Sequence, residues 1–167
     1  MADHGEVELE AARLPACDAL GVVEGSVSPA TQALVSAVVR AAPQLQWRQS
    51  YTEDDPGIDA NYLANYAWFN LIAPSGPFVS DRLRLSVGYW GAGLVYPRHW
   101  HAPEEIYLTL AGRVLYRTDG RADLEGGPGA TVAHASNHPH AAVFKTAALV
   151  AAFWRGDALE GKSSFGE

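Results

Sequence analysis

Two hydrophobic rhythms divide this chain. Ahead of residue 45 the spacing is helical. Residues 7–15 predict a short helix. Ser28-Pro29 then supplies an N-cap and a proline at the first helical position. A helix over Ala30–Ala42 follows, with Leu34, Val35, Val38 and Val39 on one stripe, and Pro43 closes it. From residue 77 the period falls to two. Leu83, Leu85 and Val87 alternate with Arg84 and Ser86, and Ile106, Leu108 and Leu110 alternate with Tyr107 and Thr109. Further strands are expected at Val114–Arg117, Ala130–His134, Val143–Phe144 and Leu149–Trp154. Gly88, Gly91, Gly93, Gly112, Asp119-Gly120 and the segment Glu125–Gly129 punctuate them. Strands at roughly 8–12-residue spacing between glycine turns predict an all-β sandwich or barrel. Between the two regimes lies an aromatic stretch: Trp47, Tyr51, Tyr62, Tyr66, Trp68 and Phe69. Tyr62, Tyr66 and Phe69 have helical spacing, which reads as core packing. The expected organisation is an N-terminal helical extension (1–45), a β-domain (46–160) and a polar tail (161–167) that frays.

Composition narrows the class. A chain of 167 residues with 48% hydrophobic and 19% charged residues can bury one sizeable core. The net charge of -7 argues against a nucleic-acid surface, which needs clustered Lys and Arg. Cys17 is the single cysteine, so an intrachain disulfide is excluded and a reducing, cytoplasmic setting is expected. It lies apart from the other chemistry-bearing residues and reads as a small buried hydrophobe. No apolar run reaches the ~18 residues that would span a membrane, and no secretory leader pattern opens the chain. The N-terminal helix could serve a homodimer, the commonest soluble assembly.

One cluster changes the picture. Five of the six histidines fall between residues 99 and 140. In Gly93-x5-His99-x-His101-x3-Glu105-x6-Gly112, two imidazoles and a carboxylate fall on one parity of what reads as a β-strand. Such a set makes a divalent transition-metal site that lacks one ligand. His134, His138 and His140 compete to supply it. Trp100 falls on the opposite parity and reads as core. Imidazole and carboxylate donors suit Fe, Mn, Zn, Ni or Co, so the ion itself is left open.

The same spacing resembles the first motif of the cupins at every position that motif specifies. The resemblance implies a small jelly-roll-like β-barrel with room for one ligand. In the second cupin motif a glycine leads through a proline and a turn glycine to the metal histidine. Here Gly129 to His140 has the matching length, Ala135 replaces the proline and Asn137 the turn glycine. That register favours His140 over His138 and His134. Asparagine is the best non-glycine residue where φ must be positive. Tyr96-Pro97-x-His99-x-His101-x3-Glu105-x-Tyr107-x3-Ala111-Gly112, together with Trp47-Arg48-Gln49-x-Tyr51 and Gly76-Pro77, looks like the cupin-type dimethylsulfoniopropionate lyases. This likeness implies that His99, His101, Glu105 and His140 hold a divalent metal. It implies Tyr107 as the base or a metal-side ligand and Tyr96 as its assistant, acting on a small carboxylate-bearing substrate. The products would be dimethylsulfide and acrylate. Tyr62, Tyr66, Trp68 and Trp90 could meet a sulfonium through cation–π attraction. A cupin dioxygenase, a sugar or keto-acid isomerase and a small-ligand sensor are the other classes the motif admits.

Overall fold

The period-two segments become two facing sheets in the computed structural model, which describes residues 5–166. One sheet has the order β2 (Phe78–Val79), β1 (Tyr66–Ala73), β3 (Leu83–Trp90), β10 (Ala148–Arg155), β5 (Glu104–Ala111), β8 (Thr131–His134). The other has the order β11 (Ser164–Phe165), β4 (Val95–Trp100), β9 (His140–Phe144), β6 (Val114–Thr118), β7 (Leu124–Gly126). The sheets are jelly-roll-like. They do not join into one hydrogen-bonded cylinder, which corrects the closed sheet expected from sequence.

Each face of the six-stranded sheet carries its own core. On the outer face, a 3₁₀ segment (Pro15–Gly25) and helix α1 (Gln32–Ala41) bury Cys17, Leu20, Val23, Val35 and Val38 against Phe69, Val87, Leu110 and Leu149. Between the sheets lies an aromatic core that includes Tyr51, Tyr62, Tyr66, Trp90, Tyr96 and Tyr107.

Several local expectations change. Residues 7–14 are extended: Ala12 N–H donates to Leu45 O (3.1 Å), and Trp47 N–H donates to Ala12 O (3.0 Å). These cross-chain bonds outcompete a helix too short to be stable alone. The stripe of α1 is narrower than expected, since Leu34 is 48% exposed. Tyr62 lies in the one-turn helix α2 (Ala60–Ala64), but Tyr66 and Phe69 lie on β1, pointing to opposite faces. The tail does not fray within the described residues. It pairs with β4, Phe165 opposite His99, and Arg98 donates to Gly166 O (3.1 Å).

Gly112 shows why a turn can demand glycine. Its φ is +84°, and a Cβ there would stand 2.2 Å from Ala147 O and 2.8 Å from Ala148 Cα. Both obstacles are backbone. Gly112→Ala should therefore destabilise the fold by about 3 kcal/mol, combining left-handed strain with displacement of the β10 approach. At this size that is a drop of roughly 6–12 °C in a thermal melt. A melting point within about 2 °C of the parent would contradict this account.

Candidate metal centre

The chain crosses from one sheet to the other inside the first motif. His99 is the penultimate residue of β4 in the five-stranded sheet, His101 lies in the crossing, and Glu105 is the second residue of β5 in the six-stranded sheet. The three do not share one strand, as expected from their parity. Pro103, which has no N–H for a ladder, sits in the break. The groups meet because two rows face each other. Across one sheet run Arg84, Trp154, Glu105 and His134, each opposite the next. Across the other run Phe165, His99, His140 and Thr118. The hydrogen bond between His134 Nε2 and Thr118 Oγ1 (3.2 Å) ties the rows at one end.

Backbone carbonyls set the histidine tautomers. Nδ1 of His99 meets Pro97 O at 2.7 Å, Nδ1 of His101 meets Pro103 O at 3.0 Å, and Nδ1 of His140 meets His138 O at 2.8 Å. A carbonyl only accepts, so each Nδ1 carries the hydrogen and each Nε2 presents a lone pair. These three Nε2 atoms are buried and have no hydrogen-bond partner. The three histidines offer nitrogens within 4.8 Å of one another. Three converging lone pairs without donors are what a transition metal requires. Burial, reinforced by His140, pushes His99 well below the usual imidazole range, which keeps it neutral.

Glu105 completes the cluster. Its Oε2 is 3.4 Å from His101 Nε2 and 3.2 Å from His140 Nε2, neither aligned as a hydrogen bond. Trp154 Nε1–H donates to Oε1 (2.6 Å), and His134 Nδ1 lies 3.0 Å from Oε2. Burial opposes the carboxylate charge, and the contacts with Trp154 Nε1–H and His134 Nδ1 offset it. The rival histidines separate here. His134 touches the cluster but uses both ring nitrogens in hydrogen bonds, and its ring stacks on His140 at 3.7 Å. His138 points away and meets Asp119 O at 2.8 Å. Asn137 has φ +56°, the left-handed conformation expected for the substituted turn glycine.

A narrow cleft of about 50 Å³ leads to Glu105. Its wall is layered by strand register. Arg84, Trp154 and Glu105 form one layer; Ser86, Ala152 and Tyr107 form the next. The floor is Trp90, whose ring lies so close over Gly88 that a Cβ there would meet it at 2.4 Å. Tyr66 and Trp68 line the β1 side. Tyr62 lies deeper, accepting from Trp90 Nε1–H (3.0 Å). Tyr96 stacks on His99 at 3.8 Å, while its hydroxyl bonds Tyr51 and lies 3.4 Å from Ser163 Oγ. Burial raises Tyr107 and Tyr96 well above the usual phenol value, aided by Glu105 for the first and Tyr51 for the second. Trp100 faces away from the cluster, with Arg98 over its ring. Sequence reasoning missed Trp154, Ser163 and Arg84. Alternation on β3 and β10 was the usable signal, with the polar parity turned inward.

Comparisons with known proteins agree with this geometry. The chain matches the family described as dimethylsulfoniopropionate lyase over residues 2–151. Dimethylsulfoniopropionate lyase DddQ of Ruegeria pomeroyi is 39% identical over 126 residues, covering 75% of this chain and 62% of that protein. The match thus spans less than two thirds of that curated relative. A crystal structure of DddQ from the same organism superimposes with a TM-score of 0.86 at 32% identity, covering 100% of this chain and 87% of that one. A chain from the crystal structures of the lyases RdDddP and RnDddQII gives 0.92 at 38% identity, with coverage of 100% and 85%. A cupin-2 domain from Rhodospirillum rubrum shares the fold alone, with a TM-score of 0.58 at 16% identity over 75% of this chain and 77% of that one.

Proposed function

Because this chain belongs to the dimethylsulfoniopropionate lyase family, we propose that it cleaves dimethylsulfoniopropionate to dimethylsulfide and acrylate by metal-dependent β-elimination. The carrying observation is the convergence of three donor-less Nε2 lone pairs beside Glu105, at a cleft that also holds Tyr107. His99, His101, His140 and Glu105 would hold a divalent transition metal such as Fe, Mn, Zn, Ni or Co. When bound, the ion supplies Lewis acidity toward the substrate carboxylate and favours the phenolate of a nearby tyrosine.

The residues do the rest. Tyr107 stands one layer deeper than Glu105 on the same strand face, about 7 Å along β5, and lines the same cleft. As the phenolate, its Oη takes the α-proton; the freed C–H electron pair forms the Cα=Cβ bond of acrylate, and the Cβ–S bond breaks with its pair leaving on dimethylsulfide. Tyr96 and Tyr51 share a buried hydroxyl contact on the cleft wall and orient the substrate. Tyr66 and Trp90 line the cleft with aromatic surface suited to a sulfonium, at roughly 0.5–2 kcal/mol each.

The test is headspace detection of dimethylsulfide from metal-loaded protein, with His101→Ala beside it. Release by the parent alone supports the lyase. Silence with Fe, Mn, Zn, Ni and Co would refute it. A smaller effect is expected from Trp154→Phe, which keeps the ring but removes the only donor to Glu105 Oε1 among the described residues. Metal affinity should fall about tenfold, as when an outer partner of a ligand is lost. Unchanged affinity in a metal titration would show that Glu105 needs no such support.

A further inference from the structure

Arg84 is a buried cation without a counter-ion. It is 8% exposed and faces the cleft from β3. Nε donates to Asn70 Oδ1 (3.0 Å) and Nη1 to Leu159 O (3.1 Å), both neutral acceptors. Among the described residues no carboxylate lies within ion-pair distance of it. The guanidinium lies between two indoles, 4.5 Å from the Trp68 ring and 4.6 Å from the Trp154 ring. Both indoles therefore shield it. Only in-plane N–H groups remain open, and three of its five are uncommitted. Burying such a charge unpaired is costly, so a fold that keeps one beside a cavity has a use for it.

Two further observations point the same way. Trp68 Nε1–H, on the same wall, is buried and has no hydrogen-bond partner. Glu105, the acid in Arg84's own layer, is engaged by Trp154 and His134 and stands two strands away. No carboxylate among the described residues supplies the missing anion, and the open edge faces the cleft. A stacked guanidinium with an open edge fits a planar carboxylate in two-point fashion.

We propose that Arg84, with Trp68 Nε1–H, forms a carboxylate subsite that orients the substrate. The inference rests on the lyase reading and deepens it. A zwitterion is turned by this charge. Its carboxylate is drawn to the layer of Arg84 and Glu105, and its sulfonium is repelled toward the aromatic floor at Trp90. The carbon chain then passes Ser86 and Ala152, the small residues that leave room opposite Tyr107. Arg84 is thus a specificity-determining residue, selecting substrates with a carboxylate over neutral analogues.

The test uses the metal-free protein, so that Arg84 acts without competition from an ion. Binding of propionate and of its neutral isostere propionamide is followed by calorimetry or ligand-observed NMR. The parent should bind propionate and not propionamide. Arg84→Gln should weaken propionate at least tenfold, and Arg84→Lys, which keeps the charge but not the fork, should fall between them. In parallel, the metal-loaded variants should show a raised KM for dimethylsulfoniopropionate with metal content unchanged. Failure of the parent to discriminate propionate from propionamide overturns the subsite, even where Arg84→Gln does not fold. So does propionate binding by Arg84→Gln within twofold of the parent. Arg84-dependent propionate binding without dimethylsulfide release would keep the subsite and remove the lyase. Release with Arg84-independent binding would do the reverse.

Discussion

His140→Ala should leave the protein folded, unable to retain a metal through dialysis, and silent for dimethylsulfide. The expectation follows from the tautomers. Each of the three histidines has its Nδ1–H tied to a carbonyl two residues away, so each Nε2 is a fixed electron-pair donor rather than a rotating one. Losing His140 removes the donor that links the two sheets' contributions, because it pairs with His99 across β4 and β9 and lies 3.2 Å from Glu105. The affinity loss should exceed the 10–100-fold seen when only an outer partner of a ligand is lost. His134→Ala provides the contrast. It deletes a hydrogen bond to Glu105 but no free lone pair, so its effect should stay within roughly 10–100-fold. Metal content after dialysis, measured by elemental analysis, checks both. A His140→Ala protein that keeps a full complement of metal, or a His134→Ala protein that loses more, would reverse their assignments.

Tyr107→Phe should lower turnover by about 10³-fold while metal content stays at the parent's level, the usual scale for a lost general base. Burial and Glu105 raise this phenol well above its ordinary value, so unaided it is a poor base near neutrality. Its competence depends on the dication the neighbouring donors would hold, which reverses the local electrostatics. Tyr96→Phe should cost less, because that hydroxyl is already committed to Tyr51 and Ser163. Comparing kcat for the two variants at matched metal occupancy decides the order. Turnover by Tyr107→Phe within about fivefold of the parent would end its role as base.

Much of this was legible in the chain, and the failures have physical causes. Ligand type and spacing pointed to His99, His101, Glu105 and His140, and the fold brings these four side chains together, although the supposed common strand is broken at Pro103 and they come from two sheets. Parity foretold the right side chains because the crossing preserves which face looks inward. The outer helices were half legible: α1 has a clear stripe, but the extended run through Ala12 is held by partners at Leu45 and Trp47 that no local pattern reveals. Arg84 was missed because alternation on β3 does not say which parity is inside. Ordinarily the apolar one is. Here a polar cleft occupies the space between the sheets, and Leu85 and Val87 pack outward beneath the 3₁₀ segment and α1. The tail was misjudged from its composition. Lys162 pairs with Asp55 at 2.7 Å, and Ser163 meets the Tyr51–Tyr96 pair, ties between distant residues.

The doubly covered sheet gives mutation two separate registers. Along β3 and β10 the even-numbered residues Arg84, Ser86, Ala152 and Trp154 face the cleft, and the odd-numbered Leu85, Val87, Leu149 and Ala151 face the outer core. A variant library confined to the even positions would sample new ligand shapes against a constant scaffold. One confined to the odd positions would tune thermal tolerance and leave ligand choice alone. Neighbouring residues of a single strand can therefore drift under different selection, one answering to heat and the next to chemistry.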